Sequence, residues 1–209
     1  MWVEIFLFDG FTALDAVGPF EALSRLPEVK VTFSALAPGA VRTGNGFLAL
    51  QADRSIYDPE SPDVLLFPGG DVASIQNISQ DPEFLKAVRR HHQHTAFTAS
   101  VCTGALFLGA AQLLRGERVA THWRAKSLLL QYGAEYSAER VSRNGKLISS
   151  AGVSAGIELG ITLAGIIAGD SVGAAVELSM EYSPSPPYGG IAAAQASPEL
   201  IDLVKTRLR

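Results

Sequence analysis

Short apolar runs alternate with longer stretches of helical periodicity, and that alternation predicts the elements. The first run, residues 3–8, ends at Asp9-Gly10 and reads as a buried strand entering a turn. A helix over 15–25 follows, with Pro19 placed in its first turn, where amide hydrogens lack intrahelical partners anyway. Residues 29–36 and 47–52 read as strands, the second entered from the turn at Gly44-Asn45-Gly46. A fourth strand, 64–67, is stopped by Pro68-Gly69-Gly70, and a basic helix over 82–92 leads to a fifth strand at 96–100. From 103 to 114 nearly every residue is small or apolar, which predicts a helix buried on all sides.

The second half continues the alternation. A strand at 118–121, a helix to about 131 and a short strand near Ala134 precede two strands, 140–143 and 146–150, around Asn144-Gly145. Asn-Gly between strand-like runs is a strong hairpin signal. Helices over 155–168 and 171–182 are separated by Gly169, as a C′ glycine, and Asp170, as an N-cap. Gly156, Gly160 and Ala164 recur every fourth residue, so one face of the first of these helices can approach another backbone closely. Residues 183–190 are too rich in Pro and Gly for a regular element, and 198–209 predicts a mildly amphipathic tail helix. The expected architecture is an α/β three-layer sandwich, a mostly parallel sheet with helices on both faces. It forms one domain over 1–209, with 183–209 as a C-terminal extension packed on it.

Composition narrows the function. Of 209 residues 47% are hydrophobic and only 18% charged, enough apolar material for a large core and too little charge for disorder. Seventeen basic against 21 acidic residues give a net charge of −4 with no basic block, which argues against nucleic acid as a partner. The single cysteine, Cys102, rules out an intrachain disulfide framework and any Cys-rich metal centre. Met1-Trp2-Val3-Glu4 lacks a basic n-region, and the most apolar stretch, 155–169, is too short to span a bilayer and carries Glu158. A cytoplasmic protein with a reduced thiol and no membrane partner is expected.

The candidate chemistry lies where strands end, since open parallel sheets gather ligands at their carboxyl edge. Cys102 stands where a strand passes into a helix with no room for a loop. The geometry of a nucleophile elbow would lift the side chain above the sheet, and the helix N-terminus would lower the thiol pKa. The alternative is a small buried apolar residue. Gly104 suits a tight turn packed under the helix. Thr103 offers a hydroxyl and backbone donors, and Gly69 and Gly70 on the next strand end offer further donors for developing negative charge. Asp15 is either a helix N-cap or a general acid/base reaching toward Cys102, with Glu21 as a competing carboxylate. His122 either orients a substrate or caps the next helix, and Trp123, Val153 and Phe11 are candidate apolar walls. His91, His92 and His94 end a basic helix with no Cys or Asp close by, so they read as charge at a helix C-terminus rather than a metal site. Residues 152–156 contain neither a dinucleotide fingerprint nor a P-loop lysine.

Taken together, Asp15-Ala-Val-Gly-Pro-Phe-Glu21, Pro68-Gly69-Gly70, Ser100-Val101-Cys102-Thr103-Gly104, Thr121-His122-Trp123, the segment 150–158 and the segment 182–188 resemble the DJ-1/PfpI (ThiJ) superfamily of glutamine-amidotransferase-like sandwiches. Within it the pattern is most similar to the isocyanide hydratase branch. There a cysteine, the threonine after it and an aspartate before a Gly-Pro pair carry the reaction, positions matched by Cys102, Thr103 and Asp15. The resemblance implies a cysteine-dependent lyase that hydrates a small isocyanide to an N-formamide through a covalent thioimidate, without metal or organic cofactor, in a homodimer. The histidine that follows the nucleophile in peptidase-like and several deglycase-like members is replaced by Thr103, so a Cys–His dyad is not expected. Nor is an AraC-type regulator, for which the chain leaves no room. A redox sensor built on Cys102, or a glyoxalase- or deglycase-like enzyme, is the alternative the same scaffold allows.

Overall fold

The computed structural model describes residues 1–208. In chain order the first half runs β1 (Trp2–Phe6), α1 (Ala13–Leu23), β2 (Lys30–Ala35), β3 (Gly39–Arg42), β4 (Ala49–Ala52), β5 (Arg54–Ser55), β6 (Val64–Phe67), α2 (Val72–Ile78) and α3 (Pro82–His94). It continues with β7 (Phe97–Val101), a 3-10 turn (Cys102–Gly104), α4 (Ala105–Ala110), β8 (Arg118–Ala120), a 3-10 turn (Trp123–Ala125), α5 (Lys126–Gln131) and β9 (Glu135–Ser137). The hairpin β10 (Val141–Asn144) and β11 (Leu147–Ser150) then leads to α6 (Ala155–Ala168), α7 (Asp170–Ser179) and α8 (Pro198–Arg207).

Seven strands form the central sheet in the order β10-β11-β7-β6-β1-β2-β5, parallel except for the β10–β11 hairpin at one edge. The expected α/β fold with a mostly parallel sheet flanked by helices is therefore present. Strand β6, in the middle of the sheet, is buried at every position, which is why it reads as a continuous apolar run rather than an alternating one. Glu4 breaks the apolar run of β1 and is buried; its carboxylate meets the Arg54 guanidinium at 3.2 Å, which offsets part of the cost of burying its charge. On one face Phe6, Phe67, Phe84 and Phe107 form an aromatic cluster with centroids 5.3–5.7 Å apart. Helix α4 supplies Phe107 and is buried along nearly its whole length, as its composition predicts, although it stops at Ala110 rather than near 114. Gln112, in a left-handed conformation at φ 63°, turns the chain there.

On the other face α1 packs against α6. A Cβ on Gly160 would sit 2.8 Å from the Pro19 Cα, so the glycine repeat of α6 serves a close contact inside the chain rather than a free surface. Pro19 itself departs from expectation. Because α1 starts at Ala13, Pro19 lies in its interior and leaves the Asp15 carbonyl without its helical donor. Asp170 is likewise the first residue of α7, and Gly169 at φ 97° occupies the cap.

Strands β3 and β5 and helix α2 were not anticipated. Each is short and has few fully buried residues, so periodicity carries little signal; β3 is held by antiparallel pairing with β4, and α2 by its Asp71 cap. Helix α8 forms as predicted, with none of its residues buried, and Arg209, the end of the predicted tail, lies outside the described residues. Among the described residues no helix is long and apolar enough to cross a membrane.

Candidate active site

Four adjacent parallel strands, β1, β6, β7 and β11, direct their carboxyl ends to one place, and each delivers a piece of the site. From β7 comes Cys102, whose φ of 58° lies in the left-handed region. A non-glycine residue there costs about 1–3 kcal/mol and persists only when its surroundings over-determine it. Three contacts do so. The Cys102 N–H donates to Ala151 O at 3.0 Å, its carbonyl accepts from the Thr121 hydroxyl at 2.7 Å, and Gly104 just beyond packs so tightly on β6 that a Cβ would lie 2.1 Å from Phe67 O.

From β1, through the loop 7–12, comes Asp15. It sits in the first turn of α1 rather than at its cap, which is Thr12, and its side chain is completely buried. Oδ2 accepts the Gly69 N–H at 2.9 Å. Oδ1 is buried with no partner that meets hydrogen-bond geometry, yet the Cys102 thiol lies close enough to perturb the carboxyl. Glu21, the competing carboxylate, is more than half exposed and pairs with Arg25 at 3.4 Å, so α1 turns it away from the site.

Electrostatics reverse one expectation. Burial pushes the Cys102 thiol up to about 12, and the Asp15 charge beside it adds to the rise; backbone amides of Val153 and Thr103 directed at the sulfur oppose this without overcoming it. The resting sulfur therefore keeps its proton, because a six-residue helix end cannot outweigh the loss of water. Burial likewise raises the Asp15 carboxyl to about 7, opposed by the Gly69 amide and the thiol. The result is a neutral thiol beside a carboxyl poised to exchange a proton near neutrality.

The glycines that follow β6 also differ from expectation. The Gly69 N–H is committed to Asp15, and the Gly70 N–H donates to Thr103 Oγ1 at 2.8 Å, while that hydroxyl donates back to Gly70 O at 3.0 Å. Neither amide is a free donor for a substrate. What these positions require is the absence of a side chain: a Cβ on Gly69 would lie 2.6 Å from Thr103 N and 2.8 Å from Asp15 Oδ2. Donors facing the sulfur come instead from Thr103 and Val153. Val153, after β11, holds φ at 27°, a strained position for a β-branched residue that nothing in its residue type announces.

A cavity of about 750 Å³ opens over the thiol. Cys102, Thr103, Gly70, Val153 and His122 of the predicted set line it, with Phe11 as one apolar wall. Asp15, Gly69 and Trp123 are not part of the lining; the Trp123 ring meets His122 in a tilted arrangement with centroids 5.7 Å apart. His122 caps the following turn by accepting the Arg124 N–H at 3.3 Å, and burial with the nearby Arg124 charge lowers its pKa, so it is neutral near pH 7. The far wall, from Thr43, Asn45 and Leu48 in the β3–β4 connection, was invisible in the sequence because only tertiary folding brings it over Cys102. His91, His92 and His94 lie apart from the site and make separate contacts: Ser61 and Ile56 O, Thr98, and Arg90 O.

Comparison with known proteins identifies the family. Residues 1–165 match the DJ-1/PfpI family. Isonitrile hydratase of Pseudomonas putida is 34% identical over 207 residues, 98% of this chain and 89% of that protein. The crystal structure of a ThiJ/PfpI family protein from Pseudomonas syringae superposes with a TM-score of 0.90 at 28% identity, covering 98% of this chain and 86% of that one. Oxidized DJ-1 of Toxoplasma gondii shares the fold at a TM-score of 0.76 and 19% identity, over 88% of this chain and 99% of that one. With the family matched over most of its length and a relative aligned almost end to end, the chain belongs to the DJ-1/PfpI family.

Proposed function

We propose that this protein hydrates isocyanides to N-formamides, with Cys102 as the nucleophile on an elbow-type turn. The observation that carries this reading is the buried pair of a protonated Cys102 thiol and an Asp15 carboxyl raised to about 7, set at the floor of a cavity sized for a small molecule. Similarity to an isonitrile hydratase supports the substrate class, isonitrile and isocyanide being one functional group.

The chemistry follows from that pair. Asp15 accepts the thiol proton as sulfur bonds to the terminal carbon of R–N≡C. The same proton passes to that carbon, giving the thioimidate S–CH=N–R. Water then adds to the carbon, and the C–S bond breaks to return the thiol. The product R–N=CH–OH relaxes to R–NH–CHO, so one isocyanide and one water become one formamide with no change in oxidation state. Amides of Val153 and Thr103 stabilise the sulfur as it carries charge.

A sensor role is less supported, since peroxide reacts with exposed thiolates and Cys102 is a buried residue with a raised pKa. Deglycase-like chemistry through a neighbouring histidine is opposed by Thr103 at that position. The test is formamide production from an aryl or alkyl isocyanide by wild-type protein and Cys102→Ala. Turnover abolished in the variant supports the proposal; no turnover by wild type, or equal turnover by both, removes it.

A further inference from the structure

The cavity wall bears hydrogen-bond donors that the reaction itself does not use. Arg124 lines it from the turn after β8, anchored by its own N–H to His122 Nδ1 at 3.3 Å. Arg124 is exposed, and its positive charge is felt at the His122 ring, which lines the same cavity. Among the described residues no carboxylate lies within ion-pair distance of it. Asn45 lines the cavity as well. Its Oδ1 accepts the Thr43 hydroxyl at 2.7 Å and the Phe47 N–H at 3.1 Å. The backbone donor fixes that atom as the oxygen and leaves the amide NH2 without a protein partner. The acidic residue in the lining, Asp71, caps α2 through Oδ2, which accepts the Ser74 N–H at 2.8 Å and its hydroxyl at 2.9 Å and ties that charge to the helix end. In a chain of net charge −4, the cavity thus offers one unpaired cation and an unpaired amide donor.

From this we propose that the preferred substrate is an isocyanide that also carries a carboxylate, bound by Arg124 with help from Asn45; the inference rests on the hydratase reading. A guanidinium pairs a carboxylate through charge-assisted, bidentate hydrogen bonds. The isocyanide end is received at Cys102, beside the apolar wall of Phe11. A carboxylate does not react in the chemistry above, so its contact lowers KM more than it raises kcat.

Isocyanoacetate and its ethyl ester share one skeleton and differ in charge, and so make the test. At low ionic strength kcat/KM is expected to favour the acid by about tenfold, the worth of one good charge-assisted hydrogen bond. The preference should shrink as salt is added. In Arg124→Gln the acid-to-ester ratio should fall to about one through KM, and Arg124→Lys should restore part of it. A wild-type ratio of one or less, or a ratio that survives Arg124→Gln, overturns the inference while leaving the hydratase reading in place. Failure to hydrate either compound overturns the hydratase reading, and this inference with it.

Discussion

Gly69 donates its backbone N–H to Oδ2 of Asp15 at 2.9 Å, and a Cβ on Gly69 would lie 2.8 Å from that same oxygen. The strand end thus holds the acid in place and also demands glycine to admit it. Oδ1 has no partner that meets hydrogen-bond geometry, and on the proposed reading it is the end of the carboxyl that exchanges a proton with Cys102.

Asp15→Asn keeps the shape and removes the base. Turnover of an isocyanide is expected to fall by roughly 10²–10⁴-fold, the usual worth of a positioned proton-transfer group, with Cys102 still present by mass. Steady-state kinetics of the purified variant check it.

The same substitution should change how stability depends on pH. The folded pKa of Asp15 is raised to about 7 from 3.8, so the folded state binds the extra proton. The contribution of Asp15 to wild-type stability is therefore undiminished below about pH 4, declines between about pH 4 and 7, and is lowest above that range. The loss should be on the order of a few kcal/mol. Asp15→Asn should flatten this contribution and gain relative to wild type at pH 8, as read from urea midpoints across the range.

Thiolate absorbance near the ultraviolet edge should report the state of Cys102, the one cysteine. In wild type it should rise only at strongly alkaline pH, since burial and the Asp15 charge push the thiol up to about 12. Asp15→Asn removes the second cause, so the titration should shift to lower pH. A midpoint below neutrality in wild type would contradict the proton inventory on which the mechanism rests.

Thr103→Val preserves shape but deletes the hydroxyl that pairs both the N–H and the C=O of Gly70. Leaving those groups unmatched should cost about 1–3 kcal/mol and slow the reaction, because the β6 end would no longer be tied to the Cys102 turn. Thr103→Ser should recover most of both. Thermal melts and kcat together distinguish this from loss of a catalytic donor, which would lower kcat and leave stability intact.

Val153→Gly relieves a left-handed backbone and adds chain freedom, effects of about 1 kcal/mol each with opposite sign. The melting temperature should stay near wild type while kcat falls, since the amide directed at the sulfur is less firmly held. Differential scanning calorimetry and steady-state assays measure the two halves.

Much of this molecule is written in local pattern. A buried parallel strand such as β6 is a continuous apolar run and so is legible, and the abrupt Ser100-Val101-Cys102-Thr103-Gly104 junction that ends β7 marks the candidate nucleophile. Asp15 is legible as a candidate, though not as the choice over Glu21, because both lie on one short helix and only its docking decides which carboxyl enters the core. The amides of Gly69 and Gly70 had the right address and a different task, since their partners, Asp15 and Thr103, lie 54 and 33 residues away.

What the order of residues determined by itself is the α/β class, the parallel sheet and the sulfur at its carboxyl edge. These depend on hydrophobic periodicity and on residue types that tolerate few backbone conformations. The tertiary structure alone decided the protonation of that sulfur, the strained Val153 amide beside it and the Thr43–Leu48 wall above it. Desolvation and Coulomb interaction depend on distances through space, and those distances exist only once remote segments have packed together.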